Sequence, residues 1–334
     1  MTATLHDVAR LAGVSIKTVS NVVNDYPHVR PETRSRVQVA IDELEYQPNL
    51  SARNLRSGKT GVVGLVVPEL SLSYFAQLAD AVIRRAEANG LTVQIEQTGG
   101  DREREIAVLS SPRRKSADGL IFSPLGMSQE DAHFLNVSYP LVVLGERIFD
   151  GPVDHVTMRN VEGAYAATMS LLDSGRRRVA VIGAHEGEII GSAGLRLAGY
   201  RRAMEEAHVE VNPGLIGYTT LWHQANGAAS MAEVIRSGNG FDAVFAMNDA
   251  LALGALRVLQ QAGLRVPEDV SVIGFDNIDE TKHSIPSLTT VDPGREEIAK
   301  VAVDLLRERI SNPLSDLPPR EVLVDFELVA RESS

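Results

Sequence analysis

Apolar positions along the chain follow two different periods, and the change from one to the other divides the sequence. Up to residue 47, apolar side chains recur at helical spacing in three short segments, of which the first two are Leu5 to Leu11 and Ile16 to Asn24. The third begins at Pro31, a favoured first-turn residue, and its apolar positions run from Val37 to Leu44. The pattern predicts three short helices packed around a small core.

The first two predicted helices are joined by the tight turn Ala12-Gly13-Val14-Ser15. We expect Gly13 to adopt a positive φ, which costs glycine little, and Ser15 to cap the second helix through its hydroxyl. This arrangement is typical of a helix-turn-helix. The motif by itself is only moderately specific, because similar hairpins occur in many helical proteins.

From Gly61 onward, short apolar strands alternate with amphipathic helices. Strands that are covered by helices on both faces form parallel sheets, so the pattern predicts an α/β fold with two doubly wound parallel-sheet lobes. The predicted strands are GVVGLVVP, LTVQIEQT, GLIFSP, PLVVLGE, RVAVIGA, IGYTT, AVFAMN and VSVIGFDN, and the predicted helices lie at 74–89, 160–174, 192–207, 224–236, 249–262 and 295–310.

These periods give a domain plan with three parts. Residues 1–47 form the predicted helix-turn-helix headpiece, and residues 48–60, bounded by Pro and Gly, form a candidate hinge that is too short and polar to make a stable helix alone. Residues 61–334 form the two-lobed core. Its first lobe is expected at about 61–160 plus 291–318, and its second at about 161–290 plus 319–334.

Charge and composition narrow the classes of function. The net charge is −11, but residues 1–58 carry seven Lys and Arg against six Asp and Glu, so the acidity lies in the core. The chain has no cysteine and no long apolar run, which favours a cytoplasmic protein without a membrane span. Neither GxSxG, HExxH nor GxxxxGK[ST] occurs, and His133, His155, His185, His208, His223 and His283 lack metal-ligand spacing. We therefore expect no enzyme, no metal and no cofactor, and solvated or capping histidines.

Four segments together resemble the lactose/galactose repressor (LacI/GalR) family. They are TLHDVARLAGVSIKTVSNVVN, VRPETRSRVQVAIDELEYQPN, NDALALGALRVLQQAGLRVPEDVSVIGFDN and SLTTVD, which occur in the family's order. The resemblance implies a headpiece, a hinge helix and lobes like those of periplasmic sugar-binding proteins. It further implies a homodimeric repressor of carbohydrate-metabolism genes, nucleoid-associated when bound to a pseudo-palindromic double-stranded operator and released by a small sugar effector.

The resemblance assigns DNA contacts to the headpiece and hinge. Ile16, Lys17 and Asn21 would read bases in the major groove, although the family often has Arg where this chain has Asn21. Leu55 would wedge into the minor groove beside the small Ala52, with an incidental leucine in a loose linker as the alternative. The remaining predicted contacts, mostly to phosphates, are Thr4, Leu5, Ser15, Thr18, Ser20, Asn24, His28, Thr33, Tyr46 and Asn49.

Ligands of open α/β sheets bind beyond the carboxyl ends of the strands, and polar or aromatic residues follow several predicted strands here. Trp222, the only tryptophan, is placed to stack on a sugar ring. Ordinary alternatives are a surface ion pair for Arg196 and helix capping by Asn248 or Asp249, with capping favoured for Asp249. The predicted effector residues are Tyr74, Phe75, Ser123, Glu146, Arg196, Trp222, Asn248 and Asp276.

Two other functions fit parts of this pattern. A purine or nucleoside corepressor is the main alternative to a sugar, because the resemblance covers regulators of both kinds. A periplasmic sugar-binding protein would share the lobes, but it would carry a secretory signal where this chain has a helix-turn-helix.

Overall fold

The computed structural model describes residues 3–23, 26–46, 59–111, 116–312 and 317–334, which fall into two compact units, Met1–Thr60 and Gly61–Ser334. Four residues with predicted DNA contacts lie outside the described residues, namely Asn24, Asn49, Ala52 and Leu55.

The first unit contains three helices, α1 (Leu5–Ala12), α2 (Ile16–Val23) and α3 (Pro31–Glu43). Gly13 ends α1 with a φ of 62°, as its place in the turn predicts. The Ser15 hydroxyl accepts the backbone N–H of Thr18 at 3.1 Å, so the predicted cap of α2 is present. The three helices enclose a small apolar core of Val8, Ala9, Ala12, Val19, Val22, Val37, Ala40 and Tyr46.

The first lobe of the second unit is built on a parallel sheet of six described strands. Their order across the sheet is β11-β5-β4-β3-β1-β2. In chain order these strands are β1 (Val62–Val67), β2 (Thr92–Gln97), β3 (Gly119–Phe122), β4 (Leu141–Leu144), β5 (Asp154–Met158) and β11 (Glu321–Val324). Helices α4 (Ser73–Glu87), α5 (Arg102–Ser110) and α10 (Arg295–Ser311) belong to this lobe, with a short 3-10 helix at Gln129–Leu135.

The second lobe repeats this plan with the order β12-β10-β9-β8-β6-β7. Its edge strand β12 runs antiparallel to β10, whereas the other pairs are parallel. The strands are β6 (Val179–Ala184), β7 (Ile216–Tyr218), β8 (Ala243–Ala246), β9 (Ser271–Phe275), β10 (Thr289–Asp292) and β12 (Glu327–Val329). The helices are α6 (Asn160–Asp173), α7 (Ser192–Glu206), α8 (Gln224–Arg236) and α9 (Asp249–Gln261), with 3-10 turns at Pro213–Leu215 and Asp279–Lys282.

In its described part the chain passes between the lobes three times, after β5, after β10 and after β11. The predicted assignment of residues 319–334 to the second lobe is therefore wrong for β11, which pairs in parallel with β5 in the first sheet. The backbone of Glu321 to Val324 continues the open edge of that sheet, and the last crossing comes only after Val324. Among the described helices, none is long and apolar enough to cross a membrane.

Candidate functional site

A cavity lies between the carboxyl ends of the two sheets, and all eight side chains with a predicted effector role line it. The first lobe contributes Tyr74, Phe75, Ser123 and Glu146, and the second contributes Arg196, Trp222, Asn248 and Asp276. The cavity offers about 150 Å³ to the centres of water molecules, which is room for on the order of ten waters. That space suits a small organic molecule.

Arg196 is the most enclosed cation of the cavity. Its side chain is 3% exposed, so the alternative of a surface ion pair is wrong. Its Nε donates to the Asn160 side-chain oxygen at 2.8 Å, and its Nη1 donates to the Met247 carbonyl. The guanidinium also lies 3.6 Å from the centre of the Phe275 ring. Most of its donors are thus already used within the protein, which fixes the group in one orientation.

Asn248 and Trp222 likewise use their polar atoms internally. The Asn248 side-chain oxygen accepts the N–H of Leu251 at 2.8 Å and its amide donates to the Trp222 carbonyl at 3.1 Å. The indole N–H of Trp222 donates to the Gly183 carbonyl at 2.8 Å, which leaves the ring face as the part that can contact a ligand. Both residues are therefore held rigidly at the cavity wall.

The favoured capping role of Asp249 is wrong, because the N-cap of α9 is Asn248. The Asp249 carboxylate instead accepts hydrogen bonds from the Thr290 hydroxyl at 2.6 Å and from the N–H of Ile278 at 3.0 Å. Burial is the main cause that raises the pKa of Asp249, and the charge of the nearby Asp276 raises it further. Asp249 thus braces the loop that presents Asp276.

Asp276 is a buried carboxyl of the second lobe that lines the cavity. Its nearest described cation is Arg196, with Nη2 3.5 Å from Oδ1. Its φ of 116° lies in a region that side-chain-bearing residues rarely adopt, which indicates a constrained position. Burial raises the pKa of Asp276 to about 7, against the opposing charges of Arg196 and Arg295.

The first-lobe wall carries an acceptor and a donor. Glu146 is buried, accepts the Ser192 hydroxyl of the opposite lobe at 2.6 Å, and lies 3.3 Å from the Thr157 hydroxyl. Burial and the carboxylates of Asp276 and Glu146 raise the pKa of Tyr74, which keeps its hydroxyl protonated as a donor. The Phe75 ring meets the Tyr74 ring edge-on at 5.3 Å, and Ser123 is buried at the end of β3.

Sequence reasoning missed five charged or titratable residues at the mouth of the cavity. His185 and His223, which the sequence predicted as solvated or capping, both line it, together with Glu69, Arg147 and Glu188. Two polar contacts join the lobes there. His223 Nε2 lies 3.2 Å from a Glu69 carboxylate oxygen, and Arg147 forms an ion pair with Glu188 at 3.3 Å. The rule of inspecting residues after each strand could have found His185, since it directly follows β6.

His155 is the other histidine that is not solvated. It is 4% exposed within the first lobe, where its Nε2 lies 2.6 Å from the Gly145 carbonyl. The described residues contain no group of His, Asp and Glu arranged to hold a metal ion.

In the headpiece, the predicted base-reading residues Ile16 and Lys17 are exposed on α2, and Asn21 is half-buried one turn further along. Ile16 is 40% exposed, which is unusual for an isoleucine in such a small unit. Val19 and Val22 pack into the core, so α2 presents the opposite face to solvent. These positions suit a recognition helix, and the base contacts themselves stay predictions.

The other predicted DNA-contact residues of the headpiece occupy varied environments. Thr4 caps α1 in a reciprocal arrangement with Asp7, with its hydroxyl 2.6 Å from the carboxylate. Tyr46 is 8% exposed and packs into the headpiece core, and Leu5 packs at its edge. Ser15 and His28 are exposed, whereas Thr18, Ser20 and Thr33 are half-buried.

Comparison with known proteins supports the resemblance. Residues 4–49 match the model of bacterial regulatory proteins of the lacI family, and residues 168–334 match the periplasmic binding protein-like domain. The ribose operon repressor of Haemophilus influenzae is 33% identical over 332 residues, covering 99% of this chain and 98% of the relative. The chain belongs to the LacI family. Members are DNA-binding transcriptional repressors rather than enzymes, and they respond to small molecules.

Other members of the LacI family match almost as completely. The repressor PurR of Vibrio vulnificus is 33% identical, covering 99% of this chain and 98% of the relative. A LacI-family transcriptional regulator from Sanguibacter keddieii has 50% identity and a TM-score of 0.76, covering 82% of this chain and 98% of that one. A cellobiose complex of the regulator CelR has 30% identity and a TM-score of 0.74, covering 99% and 100%.

Proposed function

We propose that this repressor is released from its operator by a small neutral sugar bound in the cavity between the lobes. The observation that carries the proposal is the difference between cavity residues in how far the protein itself uses their polar atoms. Arg196, Asn248 and the Trp222 N–H are largely engaged by protein atoms, whereas Asp276 has a single ion-pair contact, with Arg196 at 3.5 Å, and Glu146 accepts from the Ser192 and Thr157 hydroxyls. Carboxylate acceptors beside an aromatic face match the many hydroxyls and the apolar ring face of a sugar.

The charge of the cavity favours a neutral ligand over a phosphorylated one. Carboxylates from Glu69, Glu146, Glu188 and Asp276 outnumber the two arginines Arg147 and Arg196, and both arginines are already paired with carboxylates. The phosphate group of a phosphorylated ligand would be repelled by these carboxylates, and among the described lining residues both arginines are already paired. The related regulator CelR, which forms a complex with cellobiose, supports a carbohydrate as the class of ligand.

A purine or nucleoside corepressor is the second candidate, because PurR matches this chain over nearly its full length. A purine base has few N–H donors to offer to several acceptors, so we place it after a sugar.

We further propose that the repressor acts as a homodimer on a pseudo-palindromic operator, with Ile16, Lys17 and Asn21 reading bases in each half-site. By linkage, an effector that favours one arrangement of the lobes changes the affinity for operator by the same factor as operator changes the affinity for effector.

A binding screen tests this function. Titration calorimetry and Trp222 fluorescence are recorded with D-ribose, D-glucose, D-galactose, cellobiose, hypoxanthine and guanosine, and each binder is then added to an operator gel-shift assay. We expect at least one sugar to bind and to release operator, and Asp276→Ala to abolish that binding. Binding of hypoxanthine or guanosine alone, with tighter operator binding, would replace the sugar by a purine corepressor.

A further inference from the structure

Three side chains form a continuous hydrogen-bonded chain across the mouth of the cavity. Arg147 follows β4 of the first lobe, and its Nη1 lies 3.3 Å from Oε2 of Glu188 in the second lobe. The same Oε2 lies 2.9 Å from Nδ1 of His185. The other oxygen of Glu188 accepts the N–H of Gly194 at 3.3 Å, which ties the chain to the start of α7.

The charge on Glu188 sets the direction of these hydrogen bonds. Burial works to raise the pKa of Glu188, but the hydrogen bond from His185 and the charge of Arg147 hold it below its ordinary value. The carboxylate is therefore ionised and accepts a hydrogen bond from Nδ1–H of His185. In the neutral imidazole this leaves Nε2 as a lone-pair acceptor.

Nε2 of His185 is shielded from water and has no hydrogen-bond partner among the described residues. Leaving such a buried polar atom unpaired costs about 1–3 kcal/mol. The imidazole lies against Trp222, with ring centres 5.7 Å apart and an angle of 51° between the rings. The unpaired acceptor thus belongs to the ring that borders Trp222, and a ligand hydroxyl reaches it only when the protein atoms that cover it move aside.

The backbone of the loop is shaped to let this chain form. Gly191 has a φ of 119°, and a Cβ at this position would lie 2.5 Å from Oε1 of Glu188 and 2.9 Å from Nη1 of Arg147. The positive φ favours glycine here, and a larger residue would also push the ends of the Glu188 and Arg147 side chains out of their present positions.

We propose that His185 is a specificity-determining residue of the effector cavity, whose Nε2 accepts a hydroxyl of a sugar stacked on Trp222. Arg147 is the positioning residue, since it fixes His185 through Glu188 from the opposite lobe. This role of His185 rests on the proposed function. It adds a third hydroxyl acceptor to the cavity, beside Asp276 and Glu146. It also makes the recognition of one hydroxyl depend on contact between the lobes.

The test uses the full chain and the sugars D-ribose, D-glucose, D-galactose and cellobiose as probes. His185→Phe keeps a ring against Trp222 but removes the acceptor, and we expect it to weaken the tightest-binding sugar by about tenfold or more. His185→Gln restores an acceptor and should recover part of the affinity. His283→Gln, at an exposed histidine outside the cavity, is the matched control and should bind like the wild type.

A double-mutant cycle tests the role of Arg147. We expect Arg147→Met to weaken binding several-fold, Arg147→Lys to recover part of it, and Arg147→Met to have little further effect in the His185→Phe background. Equal affinity of wild type and His185→Phe, within about twofold, overturns the inference while leaving the sugar effector intact. If no sugar binds the wild type, the proposed function itself fails and the inference fails with it. Circular dichroism confirms that each variant is folded.

Discussion

In the headpiece, the side-chain hydrogen bonds that cap the helices join neighbouring positions in the chain, whereas those that fix the cavity side chains join distant segments. The Ser15 hydroxyl accepts the N–H of Thr18, three positions away, and Thr4 and Asp7 form a reciprocal capping box across the same separation. Arg196, in contrast, reaches Asn160 and Met247, which lie 36 and 51 positions away. The helix caps of the headpiece are therefore local, whereas the buried polar side chains of the cavity form one connected network.

This difference predicts how each region responds to mutation. A helix cap contributes about 1 kcal/mol to stability, and its loss frays one end of the helix. A buried, connected charge leaves its partners unpaired when it is removed, and the cost then reaches several kcal/mol.

The largest expected effect follows from removing Arg196. Arg196→Met keeps much of the side-chain volume but leaves Asp276 and the Met247 carbonyl without their cation, and we expect the core to lose about 3–5 kcal/mol of unfolding free energy. Urea unfolding followed by far-UV circular dichroism measures the change. Arg265→Met removes an exposed arginine paired with Asp269 on the surface and should leave the transition unchanged. A loss below about 1 kcal/mol for Arg196→Met would show that the network is not connected as described.

An intermediate effect is expected from the buried carboxyl of Asp276. Its pKa, raised by burial to about 7, lies above the ordinary aspartate value of 3.8. The folded protein therefore binds the proton more tightly than the unfolded chain, so stability from this group is present at low pH and is lost as pH rises towards about 7. The slope is at most about 1.4 kcal/mol per pH unit. Asparagine cannot lose a proton, so Asp276→Asn does not show this loss. As pH is raised from 5 to 8, the free energy of unfolding of wild type should therefore fall relative to that of the variant.

Urea midpoints of wild type and Asp276→Asn at the two pH values measure this relative fall. Glu206→Gln, at a residue on the surface of α7, serves as the control. Parallel pH dependence in wild type and Asp276→Asn would place the titration elsewhere, with Asp249 as the nearest group whose pKa is also raised by burial.

The smallest effect is expected in the headpiece. Ser15→Ala removes the hydroxyl that accepts the N–H of Thr18, and we expect a loss of about 1 kcal/mol confined to α2. Hydrogen exchange of the backbone amides of α2 reports this local opening. Ser35→Ala, on the exposed face of α3, should leave the exchange of α2 unaltered. Loss of protection throughout the core sheets would contradict the local character of the cap.

The same contrast explains what could be predicted from the sequence. The headpiece helices, the turn at Gly13 and the cap at Ser15 follow from short-range patterns, and each is present in the structure. The effector residues could be predicted as a group, because the carboxyl ends of parallel strands meet at one edge and family motifs mark several of them. Their individual contacts could not, since Arg196 and Asn248 depend on partners that only the fold brings close.

Strand β5 shows why part of the fold escaped prediction. Its sequence DHVTM begins with a charged residue, so it lacks the apolar run of the other strands. Asp154 is nevertheless buried, because Arg309 donates to it at 2.8 and 2.9 Å and the N–H of Arg320 donates at 2.9 Å. These cations come from more than 150 positions away, and a hydrophobic pattern along the chain does not contain them.

The three crossings between the lobes also bear on how the protein is made. The first sheet begins with β1 at Val62 but receives its edge strand β11 only at Glu321 to Val324. During synthesis, when the N-terminal part of a chain folds first, this lobe lacks β11 and has β5 as its edge strand while β6 to β10 of the second lobe emerge. An exposed sheet edge is a template for pairing with other chains. A ribosome that stops before residue 321 would release a first lobe with this edge open and a second lobe without β12.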